Sequence, residues 1–150
     1  METRVNLSKS DPTAYTALLA MNEAASAAAD AAGIDPKLRE LLKIRASQLN
    51  GCSYCLRMHT RDALKLGEST DRLSVVAAWA DSEYFSAVER AALALCESIT
   101  LVSVDHVPRG VYTMASAVLT NEQISAVSWL SAAINMFNRI AITSRYPVKP

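Results

Sequence analysis

Two Asp-Pro pairs punctuate the first part of the chain and constrain its class more than any other feature. Asp11-Pro12 and Asp35-Pro36 each set a capping carboxylate ahead of a proline at the first helical position, where the missing N–H costs nothing. The run from Pro12 through Tyr15, Leu18, Leu19 and many alanines closes on Gly33. The run carrying Leu38, Leu41, Leu42 and Leu49 closes on Asn50-Gly51. Glycine just past the last helical residue is a common stop, because it takes the left-handed backbone without strain. These signals predict two helices in succession, and similar punctuation continues beyond them.

A further helix is predicted from near Cys52 to Gly67. A short one follows, capped by Ser69 or Thr70 and carrying Leu73, Val76, Ala77 and Trp79. Ser82 is expected to cap a longer helix, from Glu83 to about Leu101, and another lies around Arg109 to Leu119. Thr120 and Gln123 have capping-box spacing and open the last helix, which runs to about Ser144. Only the segment from Val102 to Pro108 alternates like a strand, and one short run makes no sheet, so a loop is expected there. The class is all-α, in one domain over residues 1–150. Four glycines and five prolines in a chain rich in alanine agree with it.

The last helix is apolar on several sides. Ile124, Val127 and Ile134 lie on one, Leu130, Phe137 and Ile140 on another, Trp129 and Met136 on a third. A helix of this kind is expected to be buried all round, which in a small chain points to a subunit interface.

Charge and composition exclude several functions. Lys plus Arg equals Asp plus Glu at 15 each, so the basic excess that phosphate contacts require is missing and no nucleic-acid partner is expected. No apolar run approaches the roughly 20 residues that cross a bilayer, and no membrane association is expected. The N-terminal segment METRVNLSKSDP lacks the apolar core of a signal peptide. Three cysteines make an odd count, which does not suit a secreted disulfide framework. The expectation is a soluble cytoplasmic protein, in which a C-x-x-C is more often catalytic or metal-binding than structural.

That motif is Cys52-x-x-Cys55, with His59 four residues on and Glu40 twelve residues before Cys52. At about 100° per residue, Cys52, Cys55 and His59 fall within roughly 60° of one another on a helix. If the chain reverses at Asn50-Gly51 as a helical hairpin, Glu40 lies about level with Asp62 and about one turn from His59, within reach of the imidazole. The constellation is carboxylate, imidazole, thiol and second thiol.

Three chemistries use such residues. Zinc wants four ligands, and Cys52, Cys55, His59 and Glu40 could supply them, although no second ligand pair accompanies the motif. A thioredoxin-type site needs strands around the motif, and none is predicted. A thiol peroxidase or oxidoreductase on helices needs a thiolate, a base beside it, and a second thiol to close on the oxidised sulfur. Glu40 would then orient His59. Physics leaves the attacking sulfur open: Cys52 is nearer the helix start, and Cys55 is within a turn of His59.

The spacing of Glu40, Cys52, Cys55 and His59 inside NGCSYCLRMHTRDALKLGES resembles the alkylhydroperoxidase D-like core of the carboxymuconolactone decarboxylase superfamily, with fainter likeness as far as NRIAITSRYP. The resemblance implies an all-helical homotrimer or homohexamer that reduces organic hydroperoxides. By it, Cys55 would attack and Cys52 resolve, with Glu40 and His59 as a proton relay through water. The cysteines themselves are the redox group, with no added cofactor and no metal. The reductant implied is a lipoylated or thioredoxin-like dithiol. Tyr54 departs from the pattern, standing where the best-known members carry a second histidine. A phenol donates a hydrogen bond but is a poor base near neutrality, so Tyr54 is an accessory candidate and general dithiol–disulfide exchange is the alternative function. The decarboxylase branch lacks the cysteine pair, and that activity is not expected.

The remaining candidates have plainer roles. Cys96, on an apolar face, is expected to be a core thiol, and His106 to face solvent. Arg57, Arg61 and Lys65 read as a solvated stripe, Asn138 and Arg139 as structural or interfacial with pocket lining the lesser alternative, Met58 and Met136 as core.

Overall fold

A computed structural model describes residues 3–150; Met1 and Glu2, where the segment read as leaderless begins, lie outside the described residues. The described residues form helices and no strand: α1 (Leu7–Ser10), α2 (Pro12–Ala31), α3 (Pro36–Asn50), α4 (Ser53–Lys65), α5 (Thr70–Val75), a 3₁₀ segment (Val76–Asp81), α6 (Ala87–Thr100), α7 (Val102–Asp105), α8 (Arg109–Val118) and α9 (Asn121–Ser144). None is long and apolar enough to cross a membrane.

The predicted caps act as caps. Asp11 accepts from Ala14 N–H at 3.0 Å and Asp35 from Lys37 N–H at 2.7 Å. Thr120 and Gln123 exchange both bonds of a capping box, which fixes the start of α9. Between them these helices build one core. The central helix α3 packs on α4, α6 and α9, while α2 lies along α9 and α8 along α6. Leu41 and Leu42 of α3, Leu93 and Leu95 of α6, and Leu130 of α9 are fully buried, each contributing about 1.5–3 kcal/mol by leaving water.

Three expectations are corrected. The sixth helix opens at Ser86 rather than Ser82, because Ser86 and Glu89 form the capping box. Residues 82–85 form a bend instead, and two arginines hold it. Arg90 donates to the carbonyls of Trp79, Ala80 and Ser82 at 3.2, 2.9 and 2.8 Å. Arg72 bridges Glu68 and Glu89 and stacks 4.9 Å from the Phe85 ring. The segment after Leu101 is also not all loop: its first residues close a helical turn, α7, before His106 reverses the chain at φ 51°. Finally, α9 is not buried all round. Two of its sides enter the core, but Trp129 is 55% and Met136 48% exposed.

Candidate functional site

The site is built on the α3–α4 turn, and glycine makes the turn possible. Gly51 adopts φ 69°, a left-handed conformation that a Cβ would strain. Its N–H bonds Gln48 O at 3.3 Å while Cys52 N–H bonds Ser47 O at 3.0 Å, the paired closure of a Schellman motif. The next residue in register is already the cap of α4. Cys52 Sγ accepts from Cys55 N–H at 3.4 Å, so the first cysteine caps the helix whose first turn carries the second. Both are free thiols, and each is 1% exposed.

The hairpin brings Glu40 of α3 directly against His59 of α4, with Oε2 to Nδ1 at 2.8 Å. The other carboxylate oxygen accepts from Lys43 Nζ at 2.9 Å. Burial alone would raise the Glu40 pKa, but the hydrogen bond from His59 and the charge of Lys43 outweigh it and hold the carboxyl below its ordinary value. An ionised carboxylate only accepts, so Nδ1 carries the shared proton and Nε2 of the neutral ring is left as a base.

Cys55 and His59 line one cavity of about 240 Å³, whose other walls are mostly apolar, among them Leu19, Met58, Ile134, Phe137 and Ile140. No hydrogen bond joins the Cys55 thiol to His59 directly; the two face the cavity a helical turn apart. Burial pushes the Cys55 thiol up to about 12, and the neighbouring Cys52 thiol adds to the rise. The Asn138 amide acts in the opposite direction, as a hydrogen-bond donor toward the sulfur.

Asn138 is fully buried and anchored on both sides. It donates to Ser47 Oγ at 3.0 Å and accepts from Asn50 Nδ2 at 2.9 Å. Asn50 also donates to Asn135, whose own amide reaches Thr100 Oγ1 at 3.0 Å. The structural role expected of Asn138 is thus combined with an approach to Cys55, close to the lesser alternative of lining the pocket. The available signal was two amides three residues apart, Asn135 and Asn138, on an otherwise apolar helix.

Tyr54 and Met58 line the same cavity, and the remaining candidates fall outside it. Tyr54 is half-buried and meets Tyr146 edge-on, ring centroids 5.1 Å apart. Cys96 is buried in the core against the Leu42 carbonyl. His106, Arg61, Lys65 and Arg139 are exposed, and Arg57 donates to Lys149 O at 2.6 Å. Met58 and Met136, expected in the core, are 40% and 48% exposed, Met58 as a wall of the Cys55 cavity. Among the described residues, one group of three potential metal ligands has donor atoms within 4.8 Å of one another: Glu40, His59 and Asp62. It contains neither cysteine, so the four-ligand zinc set read from the sequence is not assembled. Lys43 and Lys65 already hold two of its carboxylates, Glu40 and Asp62.

Residues 12–98 match the profile of the carboxymuconolactone decarboxylase family. The chain belongs to that family. Its place is among the alkylhydroperoxidase D-like members. The crystal structure of ATU0492 from Agrobacterium tumefaciens, a protein of unknown function provisionally assigned to antioxidant defence as AhpD, covers 99% of this chain and 100% of its own. It has a TM-score of 0.88 and 29% identity. Among curated relatives, the uncharacterized protein YdfG of Bacillus subtilis is 41% identical over 109 residues, 73% of this chain and 74% of its own. The uncharacterized protein YnjA of Escherichia coli is 35% identical over 74 residues, 48% of this chain and 41% of its own. The stretch of this carboxymuconolactone decarboxylase family member that matches the profile holds Glu40, Cys52, Cys55 and His59. Asn138, Phe137 and Tyr146 lie beyond it, on and after α9.

Proposed function

We propose that the protein is a thiol peroxidase that reduces organic hydroperoxides through a Cys52–Cys55 dithiol–disulfide cycle. The observation that carries this is the 2.8 Å Glu40–His59 contact opening on the same apolar cavity as Cys55. A thiol held near 12 is protonated at neutral pH, so attack requires a base, and His59 Nε2 is the base in reach through one water. The Cys55 sulfur attacks the terminal peroxide oxygen and the O–O bond breaks. The leaving alkoxide takes up the proton that His59 removed and departs as the alcohol. Cys55 is left as a sulfenic acid. The Cys52 thiol then closes on that sulfur, releasing water and forming the disulfide. An external dithiol, lipoylated or thioredoxin-like, supplies two electrons and two protons to restore both thiols. The apolar walls favour an alkyl or aryl tail over hydrogen peroxide.

Assembly as a homotrimer or homohexamer belongs to the same proposal, and the exposed Trp129 and Met136 on α9 support an interface there. Tyr54 favours a second reading, dithiol–disulfide exchange without efficient peroxide reduction, since a phenol supplies no base at that position. Coupled hydroperoxide consumption decides between them. Glu40→Gln and His59→Asn are each expected to lower kcat/KM by about 10²- to 10⁴-fold. Wild-type protein that reduces disulfides but consumes no hydroperoxide would select the second reading.

A further inference from the structure

A line of amide side chains leads inward from the protein surface toward Cys55, and each of its hydrogen bonds has a fixed direction. Its outer end is Arg139, an exposed residue of α9, which donates through Nη1 to Asn135 Oδ1 and to the Asn135 carbonyl, both at 3.0 Å. Asn135 Nδ2 donates to the Ser131 carbonyl at 2.9 Å and to Thr100 Oγ1 at 3.0 Å. Asn50 Nδ2 donates to Asn135 Oδ1 and to Asn138 Oδ1, both at 2.9 Å. Asn138 Nδ2 donates to Ser47 Oγ at 3.0 Å, which leaves that nitrogen one further hydrogen.

Turning an amide over exchanges its donor for its acceptor with almost no change of shape. Two ends of fixed polarity prevent this here. A guanidinium only donates and a peptide carbonyl only accepts, so Arg139 and Ser131 together orient Asn135. Reversed, Asn135 would set its nitrogen against the guanidinium and its oxygen against the carbonyl. With Asn135 Oδ1 held as an acceptor, Asn50 must offer it a hydrogen, and the second hydrogen of the same nitrogen goes to Asn138. Asn138 therefore turns its oxygen to Asn50 and its nitrogen the other way.

That other way lies Cys55. Ile134, Phe137 and Ala141, which bracket Asn138 along α9, line the Cys55 cavity. The amide works there against burial, which raises the thiol pKa. Cys52 opens instead on a separate cleft of about 270 Å³, with Ala141, Ile142 and Arg145 further along the chain.

We propose that Arg139 is a positioning residue for Cys55, acting from the surface through the Asn135–Asn50–Asn138 line. It ensures that the sulfur meets an N–H, which supports a thiolate, and not an amide oxygen, which would repel one. The inference rests on the reading above in taking Cys55 as the reacting sulfur. Arg139 does not line the cavity; Asn138 makes the contact and Arg139 sets its direction. His59 removes the proton, and Asn138 steadies the charge that remains.

The test reads Cys55 without any hydroperoxide. Full-length protein carrying Cys52→Ser keeps Cys55 as its reactive thiol, since Cys96 is enclosed in the core. Alkylation by iodoacetamide is followed as a function of pH in this reference and with each change at position 139 added. Arg139→Met is expected to slow alkylation by about three- to tenfold at about pH 8 and to displace the pH–rate curve upward. Arg139→Lys, which still only donates, should keep the reference rate. The difference should persist in about 0.5 M salt, which screens a direct effect of the lost charge on the thiolate. Loss of folding would expose the thiol and speed the reaction, so it does not imitate the result. An unchanged pH–rate curve in Arg139→Met, or one that returns to the reference in salt, would overturn the proposal. Slower alkylation in Arg139→Met beside a wild-type protein that consumes no hydroperoxide would instead sink the peroxidase reading and leave the relay of amides standing.

Discussion

Cys55→Ser is expected to bring hydroperoxide turnover down to the uncatalysed background, a loss of at least about a thousandfold, because a serine hydroxyl cannot replace a thiolate as the nucleophile. Cys52→Ser is expected to behave differently. It should consume one equivalent of hydroperoxide and stop, leaving a sulfenic acid on Cys55 that dimedone labels and peptide mass spectrometry locates. The asymmetry comes from the cavity: Cys55 lines it together with His59, which Glu40 holds from behind, and Cys52 does not. Cys96→Ala should leave turnover in place, since Cys96 is enclosed between α3 and α6 and its thiol faces the Leu42 carbonyl. Full turnover in Cys55→Ser would reverse the assignment of the two sulfurs.

Asn138→Ala is expected to cost about 2–4 kcal/mol of folding stability, through two lost buried hydrogen bonds and the space the amide leaves. Ser47 Oγ loses its donor at 3.0 Å, and Asn50 loses its acceptor at 2.9 Å and keeps only its bond to Asn135. For a domain of this length that corresponds to a fall in Tm of about 5–15 °C, read by calorimetry. Asn138 ties α3, the helix bearing Glu40, to α9, and its amide also faces Cys55. The variant should therefore lose rate as well as stability. A Tm within a degree of wild type would mean the network contributes little.

Much of this was legible in the chain itself, for local reasons. Asp11, Asp35 and Thr120 cap their helices through bonds to residues two or three positions away, so a short window contains the cause. The Glu40–His59 contact was also readable, because one turn at Gly51 fixes how α3 and α4 face each other. The error at Ser82 is local too: Ser86 and Glu89 carry the capping-box spacing, which Ser82 and Phe85 lack, and Arg72 and Arg90 then hold the bend ahead of the helix. Asn138 lies 91 positions from Ser47, and no window spans that bond. The separation of Cys52 from Cys55 into two cavities was equally out of reach, since Tyr146 and Arg145 arrive from beyond the last helix.

The central claim is that one sulfur takes the peroxide oxygen and its neighbour closes on it. Its most direct measurement adds one equivalent of cumene hydroperoxide to the fully reduced protein and follows cumyl alcohol alongside the thiols. The account predicts one alcohol per chain, a Cys52–Cys55 bridge by peptide mass, and Cys96 still a free thiol. Unconsumed hydroperoxide with all three thiols intact would contradict it.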